Sequence, residues 1–225
     1  MESEDLRRIY SRYARFGVYA IPFGVVFARG RKRAIEVLAA EKGDRVLEVG
    51  VGTGLTIPYY PDGVHLVGVD FSEPMLEKAQ QRLAANGSRD VALQTMNATA
   101  LGFADESFDG VVAAYVMSAV PQPKQVLSEM IRVCKPGGRI VFINHFQREN
   151  GFLSRIEAKF SPFFQRVGFR TDLKLSELLD GAHLRVLHTE GVNVFRYWTL
   201  VSCRKEIDGQ GGSPLRKAAE RRNSV

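Results

Sequence analysis

Three alternating glycines flanked by acids carry the chemistry most legible in this chain. They lie in Arg45-Val-Leu-Glu48-Val-Gly50-Val-Gly52-Thr-Gly54, with Asp70 following. Such glycines let a backbone turn sharply and approach a ligand where any Cβ would clash. Asp70 ends a second apolar run, His65-Leu-Val-Gly-Val69, and so arrives beside the glycine turn. A carboxylate there can accept both hydroxyls of a ribose. The spacing Gly-x-Gly-x-Gly differs from the Gly-x-Gly-x-x-Gly of a dinucleotide site, which speaks against an NAD oxidoreductase.

The elements that must hold these groups follow from apolar runs and their punctuation. Arg45 to Val49 reads as a buried parallel strand after the turn signal Gly43-Asp44. A helix is expected from Lys32 to Ala40 before it, and a short one from Leu55 to Tyr60 after it. Ser72 reads as an N-cap, with Glu73-Pro74 in the first turn and Met75, Leu76, Ala79 and Leu83 on the buried side. Val91–Thr95, Gly110–Val116 and Arg139–Ile143 read as further strands, with a helix over Gln125–Val133. Leu184–Glu190 and Val194–Cys203 complete the set, the last inserted antiparallel. In an open parallel sheet, ligands bind beyond the carboxyl ends of the strands. Gly50 to Gly54, Asp70, Asn97, Tyr115, Asn144 and His145 all fall there.

Composition is that of an ordinary globular protein: 225 residues, 45% hydrophobic and 25% charged. Cys134 and Cys203 lie in apolar segments and form no redox or metal motif, so no metal is expected. No signal peptide is evident, and the uncharged run from Phe16 to Ala28 is too short to span a bilayer. The net charge of +6 sits at the ends. Residues 1–42 hold nine basic and five acidic side chains, and residues 204–225 hold six and three. Basic ends point to an anionic partner. Residues 4–20 read as an amphipathic helix, with Leu6, Ile9, Tyr10, Tyr13 and Phe16 on one side and arginines around the rest. Such a helix can lie in a membrane interface or pack as a lid. Residues 148–174 alternate phenylalanines with Arg and Lys and read as a second interfacial surface or a core helix with a basic face. No aromatic nucleic-acid platform is evident, and no nucleic-acid partner is expected.

The glycine segment resembles motif I of the class I S-adenosylmethionine (SAM)-dependent methyltransferases, and Asp70 matches the acid of their motif II. The order of Glu48 to Gly54, Asp70 and Lys135-Pro-Gly-Gly138 strengthens the resemblance. It implies a Rossmann-like α/β fold: a seven-stranded, mostly parallel sheet with helices on both faces, preceded by an N-terminal amphipathic helix. It also implies SAM as cofactor and S-adenosylhomocysteine as product. The family's donor is a sulfonium cation without a pyrophosphate, so an acid beside the turn is an advantage. Carried over by position, the cofactor-binding residues are Glu48, Gly50, Gly52, Gly54, Asp70, Phe71, Met75, Asn97, Ala98 and Tyr115. Asn97 stands where the family usually has an acid that bonds the adenine amine, and its amide oxygen can accept from the same group.

Val18-Tyr19, Phe23-Gly24, Phe27, Arg29 to Arg33, Tyr115 to Pro123 and Asn144-His145-Phe146 together resemble the bacterial soluble-fold phospholipid N-methyltransferases. That resemblance implies repeated methylation of phosphatidylethanolamine to phosphatidylcholine; a monomer associated peripherally with the inner face of the cell membrane is expected. Tyr19 would position the headgroup and His145 would take a proton or orient a phosphate; either could instead be a packed structural residue. Arg29, Arg31, Arg33 and Asn144 would face the substrate phosphate. The expected organisation is a lid or membrane-binding segment over 1–30, a methyltransferase domain over 31–208 and a flexible basic tail over 209–225. The alternative acceptor is a soluble or isoprenoid molecule such as a quinone precursor. A non-enzymatic RNA- or membrane-binding module is disfavoured by the intact acids and glycines.

Overall fold

The computed structural model describes residues 22–85, 90–147, 172–193 and 196–207. The expected amphipathic helix with Tyr19, most of the 148–174 segment and the basic tail therefore lie outside the described residues. Helices α1 (Pro22–Val26) and α2 (Ala28–Leu38) lead into β1 (Arg45–Val49). A 3₁₀ turn at Ile57–Tyr59 precedes β2 (His65–Asp70), α3 (Glu73–Ala85) and β3 (Val91–Thr95). Then come β4 (Phe108–Ala114), α4 (Pro123–Val133), β5 (Cys134–Asn144), α5 (Leu175–Leu179), β6 (Leu184–Val192) and β7 (Trp198–Lys205).

The strands form one seven-stranded sheet in the order β3-β2-β1-β4-β5-β7-β6. The first five are parallel, and β7 inserts antiparallel between β5 and β6. The Rossmann-like fold and the inserted last strand are as expected. Side-chain alternation along a strand sorts β1 onto two faces. Val46 joins Ala34, Ile35 and Leu38 of α2 in one apolar cluster. Leu47 and Val49 join Val126, Leu127 and Met130 of α4 in the other. Glu48, two residues from Val46, is thereby turned into the α2 layer.

Several local readings shift. The helix expected from Lys32 to Ala40 begins at Ala28 and ends with Ala39 in a left-handed conformation at φ 49°. The basic run Arg29 to Arg33 thus lies inside the helix, and its members point in different directions. Leu55 to Tyr60 keeps only a 3₁₀ turn at its end. The helix expected over Gln125–Val133 begins two residues earlier, at Pro123, because a first-turn proline lacks only an N–H the helix leaves unpaired. Lys135-Pro-Gly-Gly138 is taken up into β5 as an irregularity, with Gly137 at φ 76°. Ser72 sits just before α3, yet its hydroxyl is buried without a hydrogen-bond partner; Asp70 accepts the Ser72 N–H instead.

Candidate active site

The carboxyl ends of β1, β2, β3, β4 and β5 lie side by side, and each carries a residue singled out by sequence. After β1 the chain turns through Gly50, Gly52 and Gly54 at φ 70°, 56° and 75°. A Cβ on Gly50 would stand 2.4 Å from Val116 Cγ2, so that glycine is required for packing. Gly52 differs: its only neighbour within 4 Å is a backbone oxygen at 4.0 Å. The positive φ and the open space at Gly52 make a concave backbone surface that a side chain would fill.

Asp70 builds that surface. Its Oδ2 accepts the Gly52 N–H and its Oδ1 the Ser72 N–H, both at 2.9 Å. Burial pushes its carboxyl up to about 6 despite these bonds and one from the Phe71 N–H. Glu48 is buried more completely, and burial pushes it up to about 7. Opposing that shift are hydrogen bonds from Thr56 and Tyr60 and the charge of Arg31. The Tyr60 hydroxyl donates to Glu48 Oε2 at 3.1 Å. Two buried acids with raised pKa values form a site that a cationic nucleoside would stabilise in its ionised form.

The remaining cofactor candidates surround this pair. Met75 is buried in the first turn of α3, and Phe71 is half-buried beside Asp70. The Met96 N–H donates to the Asp70 carbonyl at 2.9 Å, which places Asn97 and Ala98 next to the acid. Asn97 does not present a spare acceptor. Its Oδ1 already takes the Thr99 N–H at 3.0 Å and the Thr99 hydroxyl at 2.9 Å. An exocyclic amine could use that oxygen only by displacing one of them. Tyr115 stands after β4 at φ 66°, with its N–H on Ile143 of β5 at 2.7 Å.

The substrate candidates do not act as one group. Arg31 is buried, with its guanidinium 5.5 Å from the Tyr115 ring centre and 5.9 Å from that of Phe27. Arg29 is exposed. Arg33 points the other way and is held by Glu190 of β6 at 2.6 Å and Glu36 at 3.3 Å. Its guanidinium ties α2 to the sheet edge rather than facing a phosphate. Asn144 is fully buried. Its Oδ1 accepts the Ser118 N–H at 3.0 Å and its amide donates to the His145 carbonyl at 2.6 Å. Both amide groups are engaged, so Asn144 locks two strand ends together in place of the expected substrate contact. His145 is buried and stacked on Tyr197, with ring centres 4.2 Å apart and 8° between planes. Its Nδ1 lies 3.3 Å from the Tyr197 carbonyl, which can only accept, so Nδ1 carries the proton and Nε2 is the basic nitrogen.

Sequence reading missed Tyr60, Tyr197, Trp198 and Asn193. Tyr60 sits 12 residues beyond Glu48 with no motif spacing to mark it. The aromatic run Tyr115–Phe27–Trp198–Tyr197–His145 draws on four distant segments, so no local pattern announces it.

A methyltransferase-domain family profile matches residues 47–142, which spans the cradle from β1 to β5. The chain is 40% identical over 188 residues to a phosphatidylethanolamine N-methyltransferase of Cereibacter sphaeroides, covering 83% of this chain and 91% of that one. This chain belongs to the class I SAM-dependent methyltransferases. The methyltransferase is also 40% identical over 114 residues to a demethylmenaquinone methyltransferase of Renibacterium salmoninarum, covering 50% of this chain and 46% of the relative. Its fold matches a SAM-dependent methyltransferase of Thermotoga maritima with a TM-score of 0.68 at 22% identity, over 89% of this chain and all of the other. SAM is the cofactor, and the open backbone at Gly52 and the buried acids Asp70 and Glu48 fit it. Among the described residues no helix is long and apolar enough to cross a membrane.

Proposed function

We propose that the methyltransferase transfers methyl groups to the amine of phosphatidylethanolamine and of its mono- and dimethyl derivatives, giving phosphatidylcholine. The observation that carries this reading is the extent of similarity. The phosphatidylethanolamine N-methyltransferase relative aligns over 91% of its length, beyond the cofactor core, whereas the Renibacterium quinone relative aligns over 46%. What decides the acceptor lies outside the cofactor core, because folds host many functions.

The chemistry sets demands on the chain. SAM supplies an electrophilic methyl on a sulfonium; the amine lone pair forms the C–N bond as the C–S bond breaks. The amine must shed its proton to attack. His145, buried and stacked on Tyr197, is our candidate to receive it. The product ammonium keeps its charge when fully methylated, and the electron-rich faces of Tyr115 and Tyr197 suit such a cation. Tyr19, matching the family's amino-terminal motif, is our candidate for placing the headgroup. Arg29, with neighbouring Lys32, is the exposed part of the basic run and suits the lipid phosphate.

Membrane delivery fits the same end of the molecule. Phe27 packs on Tyr115 and Trp198, so the exposed Val25 and Val26 of α1 stand near the aromatic run. Aliphatic and basic side chains together on one rim suit an anionic bilayer surface. The test is transfer of labelled methyl from SAM to vesicles containing phosphatidylethanolamine or demethylmenaquinol. Label in the quinone alone would replace this reading with the alternative that the demethylmenaquinone methyltransferase relatives suggest.

A further inference from the structure

Helix α2 begins without a cap of its own. Phe27 occupies the N-cap position and offers no side-chain hydrogen bond to the first turn. The missing acceptor comes from 163 residues further along the chain. Asn193, in the turn between β6 and β7, accepts the Gly30 N–H on its Oδ1 at 2.9 Å. The same amide donates from Nδ2 to the Tyr115 hydroxyl at 2.8 Å. That hydroxyl in turn donates to the Phe27 carbonyl at 3.4 Å. The three bonds form a closed clasp between α2, the end of β4 and the β6–β7 turn.

The clasp is tightly built. A Cβ on Gly30 would lie 2.4 Å from the Tyr115 hydroxyl oxygen and 2.7 Å from Asn193 Oδ1. Tyr115 and Asn193 both sit at positive φ, 66° and 63°. Left-handed backbone is strained for an aromatic residue and persists where surrounding contacts fix it, often at functional sites. Asn tolerates that conformation best among residues with a side chain. An amide also offers the donor and acceptor on one planar group that Gly30 and Tyr115 require.

We infer that Asn193 is a positioning residue for methyl transfer, fixing Phe27, Arg31 and Tyr115 as the acceptor-side wall of the cofactor cradle. This rests on the proposed reading only in the identity of the acceptor. Arg31 lies over the rings of both Phe27 and Tyr115, so loosening the clasp disturbs three side chains at once. The glycine turn and Asp70 hold each other independently of it. Misplacement of about 1 Å at a reacting centre costs as much as ~10²-fold in rate.

The experiment compares Asn193→Gly, Asn193→Asp, Tyr115→Phe and the Asn193→Gly/Tyr115→Phe double variant. Asn193→Gly keeps the backbone conformation and deletes the amide. Asn193→Asp keeps the acceptor for Gly30 but removes the Nδ2 donor, so the one Tyr115 proton can no longer serve Phe27 while Tyr115 also bonds to residue 193. Vesicles with phosphatidylethanolamine and vesicles with demethylmenaquinol serve as acceptors, and rates are divided by the number of SAM-binding sites from calorimetry. The wild-type rate on each acceptor tests the acceptor reading; the variant-to-wild-type ratio tests Asn193. We expect Asn193→Gly to lose at least ~10-fold in kcat/KM for the acceptor with SAM affinity kept. Asn193→Asp, which keeps only the Gly30 bond, should fall between wild type and Asn193→Gly, and the double variant should be no worse than the poorer single. Amide exchange at Gly30 supplies a readout that needs no acceptor, and it should speed up in Asn193→Gly. Wild-type rate per site in Asn193→Gly, additive losses in the double variant, an Asn193→Asp as active as wild type, or unchanged Gly30 exchange would each overturn the inference.

Discussion

Oδ2 of Asp70 accepts the backbone N–H of Gly52 at 2.9 Å, so the acid expected to meet the ribose also shapes the glycine turn. Binding and loop geometry are therefore one property here. Asp70→Ala removes the acceptor for the Gly52, Phe71 and Ser72 N–H groups together. It should lower stability by about 1–3 kcal/mol and abolish measurable SAM binding. Asp70→Asn, which keeps one acceptor oxygen, should be intermediate. Thermal unfolding and calorimetric titration check both.

Glu48 gives the fold a pH dependence of known sign. Burial pushes its carboxyl from the ordinary 4.5 up to about 7 in the folded chain. Between those values the folded chain holds a proton that the unfolded chain has released, so this group's contribution makes stability fall as pH rises through the window. A bound sulfonium favours the carboxylate, so SAM affinity should rise with pH through about 7. Glu48→Gln should flatten both trends and weaken SAM binding, most clearly at about pH 8. Unfolding and titration of the two proteins across about pH 5 to 8 provide the comparison.

The strands and the glycine turn were legible because their signals are local. Val91–Thr95 is found where its apolar run placed it, and Asp70 ends β2 as its position after Val69 required. What sequence could not show was partner choice. Arg29 to Arg33 reads as one basic cluster, yet a helix turns consecutive side chains about 100° apart. Arg31 thus goes inward to Tyr115 while Arg33 meets Glu190. Asn144 reads as a polar residue at a strand end, the usual place for a ligand contact, but Ser118 takes its oxygen from across the site. Asn193 falls between the last two expected strands and belongs to no motif. Its partners Gly30 and Tyr115 lie 163 and 78 residues away, beyond any periodicity.

Asn144 should therefore behave as structure. Asn144→Ala leaves the Ser118 N–H buried without its acceptor and opens a void at the strand end. The expected cost is about 1–3 kcal/mol in unfolding free energy, with SAM binding by the folded fraction retained. Loss of lipid turnover without loss of stability would restore it as a substrate contact.

Tyr19 carries the opposite expectation. Tyr19→Phe should keep SAM binding and lose much of the lipid methylation, because the hydroxyl is the group proposed to place the headgroup. Undiminished turnover would remove it from the chemistry.

Attachment to anionic vesicles should weaken with salt and with deletion of residues 1–20, as electrostatic attraction of a basic amphipathic segment requires. Sedimentation with vesicles at two ionic strengths measures it. Salt-insensitive binding that survives the deletion would remove the interfacial helix from the account.

The most direct test is lipid mass spectrometry after the protein meets methyl-labelled SAM on phosphatidylethanolamine vesicles. We predict successive appearance of the mono-, di- and trimethylated headgroups, each carrying label. Label that stays in the donor, or passes only to a quinone acceptor added alongside, would contradict the account.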